Sequence, residues 1–413
     1  MQEIDDLGGE IEQAWADVQY RTDEFASIAQ TALKARVLPS TMSIDRICRW
    51  FALSSQIPYQ SWDASFGEPP IQLYSGRRFY IEALFWTDGT TTIHQHSFSG
   101  AFQVLLGGSI HTTYSFQPRE TISRHLLLGD LAARSSELLH TGDIRRIDSG
   151  DRLIHSLFHL ERPSLTLVVR TKFDAGTDPQ YNYLPPGIAC SPMVGDDRAS
   201  RLLRLLGVLE PRSPVTVQLL ADLFKVLDLE TVVAMLMHWS RAHPIDTEVS
   251  EALLEIVSHR HGAMAATLRS AIQEARRQAL IVSQRRSNHR ADLRFFLALL
   301  LNLNDRDRIL QFVAQQYPEK SPIDQITDWC QELLSAAAVD VAGTASGARP
   351  AFGLDEAAQK VLRYLLEEQT PEQVVTALSE EYDDVDEQRV QILDLCAALS
   401  DVSLLRPLFR GSP

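Results

Sequence analysis

The sequence predicts an α+β multidomain protein: an N-terminal antiparallel β-barrel with flanking helices, followed by an all-α C-terminal domain open to a solenoid-like arrangement. Three observations carry this. Residues 9–36 and 43–54 place apolar side chains at helical spacing. From Pro69 to about Phe173, short runs rich in Tyr, Phe, Ile, Thr and Val alternate with turn residues. After Arg198 the spacing is helical almost to the end. At 413 residues the chain is long for one domain. The expected boundaries are helices packing on the barrel over 1–64, the barrel over 65–176, a linker over 177–198 and a helical domain over 199–413.

Taken in order, Ser43 and Asp45 stand where they can cap the second early helix. In the β region the turn signals are Asp88-Gly89, Gly107-Gly108, Gly129-Asp130, Gly142-Asp143 and Gly150-Asp151. The connector carries Pro185-Pro186-Gly187. Helices are expected over 215–241, 246–282, 290–316 and 322–337, with a small-residue loop from Ala338 to Gly353.

Composition narrows the function classes. Hydrophobic content of 45% with 23% charged residues fits an ordinary globular protein. There is no apolar run near the length of a membrane span, and the acidic N-terminus lacks the order of a signal peptide, so cytoplasmic residence is expected. The net charge of −15 repels phosphates, which argues against nucleic-acid and anionic-membrane partners. Arg276, Arg277, Arg285, Arg286, Arg290 and Arg294 form a basic cluster, expected to be a solvated helix face. Cys48, Cys190, Cys330 and Cys396 lie far apart and read as buried free thiols.

Seven of the twelve histidines (94, 96, 111, 125, 140, 155 and 159) fall inside the β region. The decisive pair is His94 and His96. Residues two apart on a strand face the same side, so both imidazoles point into one interior and can converge on a cation at bonds of about 2.1 Å. Such a pair can also line a barrel as hydrogen-bonded histidines, and its surroundings decide between the two. His259 and His261 repeat the spacing on a helix, where side chains two apart diverge.

Those surroundings resemble the first motif of the cupin superfamily, with Gly89 before and Gly107 after the H-x-H pair. More narrowly, Leu84-Phe-Trp86, Asp88-Gly89, Ile93-His94-Gln-His96 and Val104-Leu-Leu-Gly107 look like the cysteine dioxygenase-like branch, the thiol dioxygenases. The glutamate usual in cupins some four residues after the second histidine is missing, and Gly100 and Ala101 stand there. That departure also matches thiol dioxygenases, which bind Fe(II) through three histidines. The second motif of the family is matched by Gly150-Asp-Arg-Leu-Ile-His155 and Pro163. This implies His155 as third ligand, with His159 as the alternative. His111 alternates with Ile110 and Thr112 and reads first as a packed or exposed histidine, at best as a group behind a ligand.

The resemblance implies an arginine for a substrate carboxylate, for which Arg78 (or Arg77) and Arg170 are candidates. Aligning at Pro163 puts Thr166, Val168 and Arg170 where cysteine dioxygenase carries its Ser-His-Tyr set, so only a hydroxyl survives. Gln103, Thr113 and Thr166 are expected polar wall residues. The implied function is a mononuclear non-haem iron, O2-dependent dioxygenase or hydroxylase acting on a small molecule or a peptide side chain. Fe(II) is the first metal, with Zn, Ni or Mn as alternatives that would serve redox-neutral chemistry. The alternative function is a metal-binding sensor or adaptor whose helical domain, residues 199–413, binds a protein partner.

Overall fold

The computed structural model describes residues 1–61, 67–86, 92–177, 179–191, 202, 205, 213–242, 247–262, 264–335, 356–382 and 385–409. The fold class is the expected one, α+β. The chain forms two compact units: Met1–Ala242 with Glu248–Glu274, and Ala275–Pro413 with His243–Thr247.

The chain opens with α1 (Gln2–Asp17) and α2 (Thr22–Lys34). Ile4, Leu7, Ile11 and Trp15 form the buried stripe of α1, at the three-to-four-residue spacing of one helix face. One continuous helix was expected over 9–36. The chain instead turns between the two helices, with Gln19 and Tyr20 at φ of 57° and 58°. Neither Gly nor Pro marks that turn. Trp15 holds it, donating from Nε1 to the Arg21 carbonyl at 2.8 Å and packing its ring 4.4 Å from that of Phe25. After α3 (Leu38–Thr41), α4 (Ile44–Leu53) starts at the expected cap, the Ser43 hydroxyl accepting from the Arg46 N–H at 3.2 Å.

Two antiparallel sheets follow. Strands β1 (Pro70–Ser75), β2 (Phe79–Trp86), β4 (Gly100–Leu106), β7 (Ile144–Ile147) and β9 (Ser164–Thr171) form one, in the order β1-β2-β9-β4-β7. Strands β3 (Ile93–His96), β5 (Ser109–Ser123), β6 (Leu126–Leu139), β8 (Gly150–His159), β10 (Asn182–Leu184) and β11 (Ile188–Cys190) close a barrel in the order β10-β11-β6-β5-β8-β3. The segment expected to be a linker, 177–198, thus supplies two barrel strands, with Asn182 opposite His94 and Ile188 opposite Leu128. Its prolines and glycine serve a tight hairpin. Gly129-Asp130, expected as a turn, lies inside β6. Gly129 is there for close approach: a Cβ on it would meet the Gln117 carbonyl oxygen at 2.2 Å.

Side-chain alternation divides the five-stranded sheet. Phe79, Ile81, Ala83 and Phe85 of β2, Ala101 and Leu105 of β4, and Leu165, Leu167 and Val169 of β9 share a core with α1 and α2. Their even-numbered neighbours Leu84, Trp86, Phe102, Val104 and Val168 face the other way, into a core with Leu157 of β8. The candidate site lies on that inner face.

Only helices are found among the described residues after Cys190, except for a final 3₁₀ turn at Arg406–Leu408. Helices α5 (Pro214–Val226), α6 (Leu229–Ala242) and α7 (Thr247–His261), with the start of α8 (Met264–Ser287), belong to the barrel's own unit. The Ser123 hydroxyl at the end of β5 donates to Glu230 of α6 at 2.8 Å. The helical region expected as one domain over 199–413 is therefore shared between the units. The second unit holds α9 (Ala291–Asn302), α10 (Arg306–Gln316), α11 (Pro322–Ser335), α12 (Glu356–Leu366), α13 (Pro371–Ser379) and α14 (Val385–Ser400). Leu293 and every residue from Phe295 to Leu301 in α9 are buried, so it is the central helix of this unit. No helix among the described residues is long and apolar enough to cross a membrane.

The arginine cluster departs from expectation. Arg276, Arg277 and Arg285 are buried. Arg277 donates to the Leu300 carbonyl at 2.8 Å, and Arg285 and Arg294 each donate to the other's carbonyl. The Leu300 and Arg285 carbonyls lie in the last turns of their helices, where no intrahelical donor remains, whereas the Arg294 carbonyl, in the first turn of α9, takes Arg285 as an additional donor. Among the thiols, Cys330 and Cys396 are buried as expected, Cys190 is half-buried and Cys48 is exposed.

Candidate metal centre

His94 and His96 lie on β3, and His155 on β8 directly opposite His94. A register shift follows His94, so His96 pairs with Gly150. The three side chains are 2–3% exposed, and one ligating nitrogen from each lies within 4.8 Å of the others. His96 Nε2 and His155 Nε2 are 2.9 Å apart. Two bonds of about 2.1 Å meeting at a right angle need nitrogens about 3.0 Å apart, so this pair already has the spacing of neighbouring ligands on one cation. His94 Nδ1 donates to the Thr92 carbonyl at 2.7 Å, which leaves its Nε2 with the lone pair.

Burial lowers the pKa of all three, and their mutual repulsion adds to it for His96 and His155. All three are therefore neutral near pH 7, the state in which imidazole binds a metal. Among the described residues no other group of three or more His, Cys, Asp or Glu side chains is placed to hold one.

The histidines open on a cavity of about 30 Å3 walled by Trp86, Phe98, Phe102 and Leu157, room for a few water-sized groups. Its remaining polar lining is Glu82, Thr166 and Arg170. Thr166 is 2% exposed and its hydroxyl has no hydrogen-bond partner among the described residues. The Arg170 guanidinium stacks 3.8 Å over Phe98, with Nε 3.8 Å from Glu82 Oε1. Burial pushes the Glu82 carboxyl up, and Arg170 partly offsets this. Glu82 was missed in the sequence. Its signal was a lone carboxylate at an even position of β2, in phase with Leu84 and Trp86.

His111 is buried beside the centre, its Nε2 3.0 Å from His155 Nδ1 and its Nδ1 2.9 Å from Glu137 Oε1. His159, the alternative third ligand, does not join the three. It stacks on Trp86 at 4.5 Å, with Nδ1 3.1 Å from the Ser109 hydroxyl, because four strand residues carry it away from His155.

Of the expected substrate residues, Arg170 and Thr166 line the cavity, and Gln103 and Arg78 do not. Gln103 has the opposite strand parity to Phe102 and donates to the Gly142 carbonyl at 3.3 Å. Arg78 is exposed and stacks 3.8 Å over Tyr20, in the turn between α1 and α2. Arg77 is also exposed, and Thr113 bonds Ser135 instead. Asp88-Gly89 lies outside the described residues. The absent glutamate has a steric cause: a Cβ on Gly100 would sit 2.0 Å from the Val169 carbonyl oxygen, so β9 leaves no room for a side chain.

No protein-family model and no curated protein matches the chain. Among solved structures, it is similar to the DMSP lyase DddQ from Ruegeria pomeroyi DSS-3, at 15% identity and a TM-score of 0.21 over 32% of this chain. The match spans 63% of that lyase. It is also similar to hydroquinone 1,2-dioxygenase from Sphingomonas sp. TTNP3, at 11% identity and a TM-score of 0.20 over 27% of this chain and 70% of that one. A recombinant oxalate oxidase in complex with glycolate matches at 16% identity and a TM-score of 0.21, over 38% of this chain and 75% of that one. Each is a likeness of part of the chain, and none bears on the chemistry of the site.

Proposed function

We propose that the protein is a cupin-type mononuclear metal enzyme, with His94, His96 and His155 holding Fe(II) for O2-dependent oxygenation of a small molecule. The observation that carries this is the convergence of three neutral, buried imidazoles on one small cavity. The donor set fits a borderline divalent cation, and Zn, Ni or Mn would be held by the same nitrogens. When bound, a ferrous ion supplies redox activity and open coordination positions.

The chain's own residues do the rest. Arg170 offers a guanidinium held over the Phe98 ring, suited to a substrate carboxylate or other anionic group. Glu82 balances that charge until the substrate arrives. The Thr166 hydroxyl offers a hydrogen bond that no group among the described residues takes. Phe98, Phe102 and Leu157 keep the cavity dry, which strengthens each of these interactions. The cavity size restricts the reacting end of the substrate to a few heavy atoms.

The test is the metal content of anaerobically purified wild type beside His94→Ala, His96→Ala, His155→Ala and His159→Ala. The first three variants lose metal and the fourth keeps it. Stoichiometric metal retained in His94→Ala and His96→Ala overturns the reading. Fe(II) protein that consumes no O2 with a panel of small thiols, carboxylates and amino acids removes the oxygenase part of it.

A further inference from the structure

A carboxylate–imidazole–imidazole chain runs from the surface of β6 to the metal pocket. Arg145 donates to Glu137 from Nε at 2.8 Å and from Nη2 at 2.6 Å. Glu137 is the cross-strand partner of His111 and touches its Nδ1, while His111 Nε2 meets His155 Nδ1. The Glu137 side chain is 40% exposed, whereas His111 and His155 are buried.

One end of this chain has a fixed role, and the rest follows. An ionised carboxylate can only accept, so His111 Nδ1 carries the proton. An imidazole that carries its single proton on Nδ1 accepts at Nε2, so His155 Nδ1 donates to it. That leaves the lone pair of His155 on Nε2, the atom 2.9 Å from His96 Nε2. Arg145, and after it His111, hold the Glu137 carboxyl down at about 2, so the accepting end stays ionised at any ordinary pH.

We infer that Glu137 and His111 are positioning residues that lock His155 in the Nδ1–H tautomer, with Nε2 presented to the metal, and that Arg145 keeps Glu137 aimed. This rests on the reading of His155 as a ligand. None of the three touches the cavity, and they act through the ring they orient. Without the carboxylate nothing fixes the donor order, and His155 divides between two tautomers, of which one presents N–H to the metal position.

The test uses the full-length protein and Glu137→Met, which removes the acceptor at a partly exposed position of similar volume. Nitrogen-15 NMR of histidine-labelled, metal-free protein is expected to show His155 as the Nδ1–H tautomer in wild type and as a mixture in the variant. Titration with cobalt(II) alone is expected to show affinity reduced about 10- to 100-fold, with altered ligand-field bands. Glu137→Gln, whose amide oxygen still accepts, recovers part of both. An Nε2–H tautomer of His155 in wild type, or unchanged tautomer or cobalt affinity in Glu137→Met, overturns the inference. A wild type that binds no metal defeats the metal reading instead, and the NMR arm still decides the tautomer.

Discussion

His94 and His155 are direct cross-strand partners, one on β3 and one on β8, and their rings lie 4.8 Å apart at the centroids. The pairing joins residues separated by most of the barrel sequence. Neither strand alone specifies it.

The backbone contact at Gly100 predicts a sharp contrast between two glycines. A methyl at Gly100 must push β9 aside, whereas Gly9 in α1 has nothing within 4 Å of its Cβ position among the described residues. Gly100→Ala is expected to destabilise by about 1–3 kcal/mol or more, and Gly9→Ala to stabilise by about 0.5–1 kcal/mol. Urea midpoints at constant m-value measure both. Equal midpoints would show that β9 yields freely at Gly100.

Thr166 offers a test of its own. Its buried hydroxyl has no partner among the described residues, so Thr166→Val removes a desolvated polar group at nearly constant volume. The expected result is a gain of about 1 kcal/mol in stability together with weaker binding of small anions at the site. A clear loss of stability would mean that the hydroxyl serves the fold.

Arg170 and Glu82 predict a pH-dependent cost. Arg170→Met leaves Glu82 buried without its cation, at an expected cost of about 3 kcal/mol at pH 8. In the variant the folded pKa of Glu82 lies further above its unfolded value. Stability is therefore best at low pH and falls as pH rises through that folded pKa, making the penalty smaller at pH 5. Adding Glu82→Gln restores most of it. A penalty equal at both pH values would count against the pairing.

His159 titrates in the opposite sense. Burial lowers its pKa from 6.5 to about 3, so its contribution is complete above 6.5 and drains away as pH falls toward 3. His159→Phe keeps the stack on Trp86 and removes the titrating group. Wild type is expected to lose about 2 kcal/mol more than the variant between pH 7 and pH 5, read by denaturant unfolding. Parallel losses would place the acid sensitivity elsewhere.

The α+β order, the barrel and its position in the chain, the Ser43 cap and the inward pair His94 and His96 were legible because each is local. Turn residues, strand alternation and helical spacing are written within a few residues of where they act. The turn at Gln19-Tyr20 was hidden because the Trp15 contacts hold it. The strands at Asn182–Leu184 and Ile188–Cys190 were hidden because three residues carry too little alternation to be read, and pairing with β3 and β6 makes them strands.

The site divides in the same way. The sequence by itself determined which side chains share a face: His94 with His96, and Thr166 with Arg170, by the two-residue period of a strand. It could not say which face looks into the cavity, so Gln103 was wrongly drawn in and Glu82 left out. Only the tertiary structure decided that His155 meets His94, that His159 turns to Trp86, and that Glu137 reaches His155 through His111. Those relations depend on register between strands far apart in the chain, where a shift of one residue reverses every side chain.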